Sequence, residues 1–160
     1  MPFDYEINPQ AIEQQSFKQI RTLTDLSAYD REQQQVVMRI VHSVGLPEIT
    51  TQVRFSALAC ASGIAALTAQ HDILCDVEMV KQGVTKRMVS KPPLCFLNEP
   101  QTATLATETG ETRSMAALKL WMPYISDSVV VIGNAPTALF RLLEMIEQGA
   151  PKPALIIGMP

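Results

Sequence analysis

The stretch SVVVIGNAPTALFRLLEMIEQGAPKPALII, residues 128–157, decides the fold class. Residues 128–132 are a nearly continuous apolar run, which is typical of a strand buried on both faces of a sheet. Residues 138–148 carry Leu and Ile at helical spacing, and residues 154–157 form a second apolar run. Strand, helix and strand at this spacing predict a βαβ unit, and such units build parallel sheets with helices on both faces.

The same alternation extends towards the N-terminus. The predicted elements are strands at residues 51–55, 72–76 and 94–97 and helices at residues 57–70, 78–82 and 113–122. Two helices precede them: Asn8-Pro9 opens the first, and the second runs from Asp30 to Gly45. We therefore expect a three-layer α/β/α fold with a mainly parallel sheet, a helical N-terminal segment and a single domain over residues 1–160.

The composition and net charge of the chain limit the kinds of molecule that we expect it to bind. Apolar residues make up 47% and charged residues 18% of the 160 residues, which is typical of a globular chain. The net charge of −3 gives no general attraction to nucleic acid or to an anionic membrane, so we expect neither as a partner. Three widely spaced cysteines, with no leader-like N-terminus, favour reduced thiols and a cytoplasmic location.

His42 is the first candidate for chemistry. At roughly 100° per residue it lies away from the apolar stripe of its helix, on the face that carries Gln35 and Arg39. It can be a solvent-facing side chain or a general acid, because histidine titrates near neutral pH.

Four further places could contact a ligand. Ser16 interrupts the apolar stripe of the first helix, and either bonds back to the preceding turn or faces a ligand. Thr85 stands beside Lys86-Arg87 on a loop that either holds carboxylates or is simply a solvated surface loop. Arg113 opens a helix, where a cation is unfavourable unless it has an anionic partner. The turn at residues 133–137, which includes Asn134, can be an anion site at a helix start or a purely structural turn.

Several short stretches together resemble the precorrin-8X methylmutase family. They occur in the family's order along almost the whole chain: DY (4–5), SF (16–17), MRIVH (38–42), ILCDVEMV (73–80), GVT (83–85), TRS (112–114), AALKLW (116–121), IGNAPTAL (132–139), GAPKP (149–153) and IGMP (157–160).

The resemblance implies an isomerase of cobalamin biosynthesis that moves a methyl group from C-11 to C-12 of a corrin precursor in a 1,5-sigmatropic shift. It implies that His42 is the proton donor, and that Ser16, Thr85, Arg113 and Asn134 bind the substrate. It also implies a homo-oligomer that binds a corrinoid and has no metal or cofactor of its own.

The family continues beyond the Gly-Met-Pro at which this sequence stops, so we expect the family's C-terminal segment to be absent here. Two other functions remain open. One is a module that binds corrinoids without converting them, and the other is a small α/β protein that binds a phosphorylated ligand at the turn of residues 133–137.

Overall fold

A computed structural model describes Phe3 and residues 5–159; Asp4 and Pro160, which belong to two of the family-like stretches, lie outside the described residues. The chain forms two compact units, residues 1–60 and residues 61–160. The single domain over residues 1–160 stays a prediction.

The first unit contains the two predicted N-terminal helices, α1 (Pro9–Leu23) and α2 (Arg31–Val44). The residues predicted to begin and end these helices do so in the structure. The Asn8 side chain caps α1, Asp30 forms a capping box at the start of α2, and Gly45 ends α2 in the left-handed conformation. The core of this unit is a cluster of Ile20, Leu26, Val37, Met38 and Val41.

The strand predicted at residues 51–55 is wrong. A 3₁₀ helix occupies Pro47–Thr51, and the residues after it pair with no strand of the described chain. The Tyr29 hydroxyl lies within hydrogen-bonding distance of the carbonyl oxygens of Thr50 and Val53. These carbonyl oxygens therefore contact a side chain instead of a neighbouring strand, although the alternating side chains satisfy a strand pattern.

The second unit carries a parallel sheet of three strands, β1 (Ile73–Cys75), β2 (Val129–Ile132) and β3 (Leu155–Gly158), which lie side by side in the order β1-β2-β3. Val129 of β2 stands opposite Ile73 of β1 and Leu155 of β3. Helix α3 begins at the last two residues of the first unit. The elements of the second unit are, in chain order, α3 (Ala59–Thr68), β1 (Ile73–Cys75), α4 (Glu78–Gly83), a 3₁₀ turn (Lys86–Met88), α5 (Pro100–Thr109), α6 (Arg113–Ala117), a 3₁₀ turn (Leu118–Trp121), β2 (Val129–Ile132), α7 (Pro136–Glu147) and β3 (Leu155–Gly158).

Apolar side chains cover both faces of this sheet. On one face Leu74, Val130 and Ile132 pack in a cluster with Trp121 and Leu142. On the other face Ile73, Cys75 and Val129 pack with Ala66 of α3 and with Cys95. Because alternate residues of a strand point to opposite faces, both clusters come from the same short strands, which confirms the predicted α/β fold with a parallel sheet between helices.

Three elements of this unit differ from the prediction. The strand predicted at residues 94–97 is reduced to one bridge between Leu94 and Leu74, just after the Pro92-Pro93 pair. The helix predicted at residues 113–122 tightens to a 3₁₀ turn after Ala117. Helix α5, for which no element is predicted, begins at Pro100 and ends at a left-handed Gly110.

Candidate active site

His42 and Ser16 form a hydrogen-bonded pair in the first unit. Ser16 lies in the middle of α1 and His42 in the last turn of α2, and the Ser16 Oγ lies 2.7 Å from the His42 Nδ1. The Ser16 hydroxyl therefore contacts the imidazole, and within the described residues no hydrogen bond joins it to the preceding turn of its own helix. His42 itself is exposed, as its position on the polar face of α2 predicts.

This contact settles how the imidazole is oriented. With Nδ1 turned to Ser16, the second ring nitrogen, Nε2, points away from the serine, and the described residues give it no hydrogen-bond partner. A hydroxyl can accept a proton from Nδ1–H or donate one to a bare Nδ1. Nε2 is thus available to give or take a proton while Ser16 steadies the ring.

The ring of Phe17 packs beside the imidazole of His42, and Arg39 packs on the Phe17 ring. The Phe17 and His42 ring centroids are 5.5 Å apart at an angle of 58°. The Arg39 guanidinium lies 4.7 Å from the Phe17 ring centroid and forms a salt bridge with Glu13. Glu13 therefore offsets the positive charge of Arg39 beside the aromatic ring that neighbours His42.

A buried carboxylate organises the carboxyl end of the sheet in the second unit. Asp76 directly follows β1, is 2% exposed, and accepts hydrogen bonds from the backbone N–H groups of Gly133, Asn134 and Ala135 at 3.2, 3.0 and 2.8 Å. The anion at the start of α7 is therefore a carboxylate of the chain itself, which leaves these amides no free capacity for a phosphate and favours the structural alternative for this turn. The role of Asp76 was missed, although an aspartate directly after a buried strand is a recognisable signal.

Arg113 is the first residue of α6, whose N-cap is Thr112. Its Nη2 donates to the Leu97 carbonyl oxygen at 3.1 Å and to the Asn98 Oδ1 at 2.8 Å. Both acceptors are neutral, so the guanidinium keeps its full charge while one of its nitrogens is fixed.

The structure brings the neighbourhoods of Arg113 and Asn134 together. Thr112, next to Arg113, has its Oγ1 3.4 Å from the Oγ1 of Thr137, which lies in the first turn of α7 after Asn134. The Asn134 side chain is exposed there. Thr85 lies before the 3₁₀ turn Lys86–Met88 and is exposed, and no hydrogen bond of its side chain is found within the described residues.

A cleft of about 980 Å³ opens elsewhere in the first unit, along Tyr29, Glu48, Arg54 and Phe55. Neither Ser16 nor His42 lines it, so it gives no support to the predicted catalytic role of His42 or to the predicted substrate contact of Ser16. Within residues 5–159 and Phe3, no group of three or more His, Cys, Asp or Glu side chains could hold a metal ion. Over the same residues, no helix is long and apolar enough to cross a membrane.

Fold and site together define an α/β protein with a parallel sheet and a serine-held histidine capable of acid–base chemistry. The family model described as "CbiC: Precorrin-8X methylmutase" matches residues 11–160. The chain belongs to the precorrin-8X methylmutase family. Methylmutases are isomerases, so both the predicted family and the predicted enzyme class are confirmed.

Individual relatives agree with this assignment. The chain is 49% identical to the precorrin-8X methylmutase of a Sinorhizobium species over 160 residues, and 47% identical to that of Pseudomonas aeruginosa over 159 residues. These matches cover 99% and 98% of this chain and 76% of each relative. The crystal structure of the Thermus thermophilus precorrin-8x methyl mutase superimposes with a TM-score of 0.84 at 31% identity, covering 94% of this chain and 74% of that one.

Proposed function

We propose that this chain moves a methyl group from C-11 to C-12 of precorrin-8X, or of its cobalt-containing counterpart, and that His42 supplies the proton that assists the shift. Membership of the family supports the reaction class. The observation that carries the proposed role of His42 is the 2.7 Å contact between the Ser16 Oγ and the His42 Nδ1, because it occupies Nδ1 and leaves Nε2 without a hydrogen-bond partner among the described residues.

The proposed step conserves every atom. The imidazolium Nε2–H of His42 gives its proton to a nitrogen of the macrocycle, which draws electron density towards that nitrogen through the conjugated ring. The C-11–methyl bond breaks as the C-12–methyl bond forms on the same face, and the proton then returns to Nε2. The ring and His42 supply every proton and electron pair, so the scheme needs no further cofactor.

Ser16 is proposed to hold the imidazole through both halves of this cycle. When the ring is charged, Nδ1–H can donate to Oγ, and this bond persists after Nε2 has released its proton, so the ring need not turn over between steps. One such bond is worth about 1 kcal/mol, so Ser16→Ala should slow conversion by roughly five- to tenfold without abolishing it.

The remaining predicted contacts are proposed as binding residues. The substrate is a large ring fringed with carboxylates, and Arg113 is a fixed guanidinium that can pair with one of them. The exposed side chains of Asn134 and Thr85 offer hydrogen bonds to the same class of group. We also propose that the protein acts as a homo-oligomer in the cytoplasm.

Conversion of precorrin-8X to hydrogenobyrinic acid, followed by visible absorbance, tests the proposal. His42→Asn should bind the product but form none, whereas His71→Asn, which changes the exposed second histidine, should convert substrate at the wild-type rate. Equal conversion by wild type and His42→Asn would overturn the role of His42. Binding without conversion by the wild type would instead indicate a corrinoid-binding module. Thermal stabilisation by inorganic phosphate, without any corrinoid effect, would point to a phosphate-binding protein.

A further inference from the structure

We propose that Asn98 is a positioning residue that orients the Arg113 guanidinium towards a carboxylate of the ligand; this inference rests on the proposed function. The Asn98 Oδ1 accepts a hydrogen bond from the Arg113 Nη2 at 2.8 Å, and the Leu97 carbonyl oxygen accepts a second at 3.1 Å from the same nitrogen. With Nη2 donating to these two acceptors, the Nη1 and Nε N–H groups are left, and each can donate a charge-assisted hydrogen bond to a carboxylate of the ligand.

Asn98 is itself firmly placed. It lies in a turn closed by the bond from the Glu99 N–H to the Phe96 carbonyl oxygen. The hydroxyl of Thr102, which is fully buried, donates to the same Phe96 oxygen at 2.6 Å. The exposed amide of Asn98 therefore stands on a turn that is fixed from the interior.

The backbone of Arg113 is also fixed. The Thr112 Oγ1 accepts the Met115 N–H at 3.2 Å and so caps the helix that begins at Arg113. Both partners of the side-chain contact start from rigid backbone, while both side chains are exposed. An exposed contact of this kind adds little to folding, so its consequence is the direction in which the guanidinium faces.

Charge distinguishes Arg113 from the other cations of its neighbourhood. Lys119 and Arg141 both form salt bridges with Glu111, and the hydrogen bond from Lys119 is the main cause that lowers the pKa of that carboxyl. Arg113 is held by a carbonyl and a carboxamide, neither of which offsets its charge. A carboxamide is therefore the appropriate group at position 98: it fixes the guanidinium and leaves the charge for an anion.

Substitutions of Asn98 test whether this residue affects ligand binding without affecting the stability of the fold. Asn98→Ala should weaken binding of hydrogenobyrinic acid about three- to tenfold, as loss of one hydrogen bond to a charged group predicts, with kcat little changed. Asn98→Asp should weaken binding more, because the new carboxylate competes for Arg113, although the protein should be at least as thermally stable as the wild type. Gln101→Ala, an exposed amide nearby, is the control and should bind normally.

Two further measurements make the outcome decisive. In an Arg113→Ala background, Asn98→Ala should cause no additional loss; an additional loss would mean that Asn98 contacts the ligand directly, which would overturn the positioning role. The order parameter of the Arg113 Nε–H should fall in Asn98→Ala, and an unchanged value would overturn it as well.

The probe also distinguishes failure of this proposal from failure of the proposed function. A corrin whose side-chain carboxylates have been converted to carboxamides should bind wild type and Asn98→Ala equally. If the wild type binds hydrogenobyrinic acid and Asn98→Ala binds it as tightly, only the role of Asn98 falls. If the wild type binds neither corrin, both proposals fall.

Discussion

Removing the Asp76 carboxylate should destabilise the second unit more than any ordinary surface change. In Asp76→Ala, three backbone N–H groups lose their acceptor, and one of them belongs to the buried Ala135. An unsatisfied buried donor costs about 1–3 kcal/mol, and loss of the anion at the start of α7 costs roughly 0.5–2 kcal/mol more. Water can reach Gly133 and Asn134, so only the Ala135 N–H carries the full cost of an unsatisfied donor, and we expect a loss of about 1.5–5 kcal/mol in total.

The isosteric change Asp76→Asn should cost less. An amide keeps one oxygen for the two shorter bonds, from Asn134 and Ala135, but turns an NH₂ group towards the Gly133 N–H. We expect a loss of about 1–2 kcal/mol, because one bond is removed and two donors then face each other.

Urea unfolding followed by Trp121 fluorescence measures these effects, because Trp121 is buried in the same cluster as Ala135. Asp72→Ala is the matched control: Asp72 precedes the same strand and pairs with Lys91 at 3.4 Å with both side chains partly exposed. Its loss should stay within about 1 kcal/mol. If Asp76→Ala cost no more than Asp72→Ala, the three hydrogen bonds would not organise this turn and the reasoning would be refuted.

Three other predictions concern packing and thiol chemistry. Gly133→Ala should cost about 1–3 kcal/mol in urea unfolding, because a Cβ there would lie 2.8 Å from the Cγ2 of Val80, a stiff β-branched side chain; a neutral result would contradict this close approach. Leu142→Ala should cost about 2–5 kcal/mol in the same assay, since Leu142 is fully buried, and a loss below 1 kcal/mol would contradict that burial. Burial raises the pKa of the Cys75 thiol to about 12, so an aromatic disulfide reagent at pH 8 should modify Cys75 only after unfolding, whereas rapid labelling of the native protein would be inconsistent with it.

Local signals in the sequence predicted the ends of the two N-terminal helices. Asn8, Asp30 and Gly45 mark helix ends through bonds to residues within one turn, so neighbouring sequence is sufficient to recognise them. The apolar run at residues 128–132 likewise predicted the central strand, because a strand covered on both faces must be apolar on both.

Long-range pairing could not be predicted in the same way. The alternation at residues 51–55 satisfies a strand pattern, but whether a neighbouring strand is available depends on the whole fold. The segment around Leu94 meets β1 at a single bridge for the same reason. The position of Asp76 directly after a buried strand marks it as a candidate, but the first of the amides that it accepts from lies 57 residues away, and the local sequence does not identify that partner.

In the candidate site, too, the sequence predicted a local feature but not a contact between distant residues. The helical spacing predicted that His42 faces away from the apolar stripe, and the structure confirms that it is exposed. The pairing of His42 with Ser16 joins two helices and was not predicted, because residues 26 positions apart have no fixed relation in sequence. Family resemblance selected both residues for other reasons, and only the structure shows that they contact each other.

Nitrogen NMR of the His42 imidazole tests the central claim most directly, with His71 as the internal reference. If Ser16 holds the imidazole of His42, Ser16→Ala should change the chemical shift of Nδ1 and leave the chemical shift of Nε2 nearly constant, because Ser16 contacts only Nδ1. Adding hydrogenobyrinic acid to the wild type should change Nε2 and leave Nδ1 bonded to the serine. If the product left Nε2 unchanged, or if Ser16→Ala left Nδ1 unchanged, His42 would not be a serine-held proton donor to the ligand.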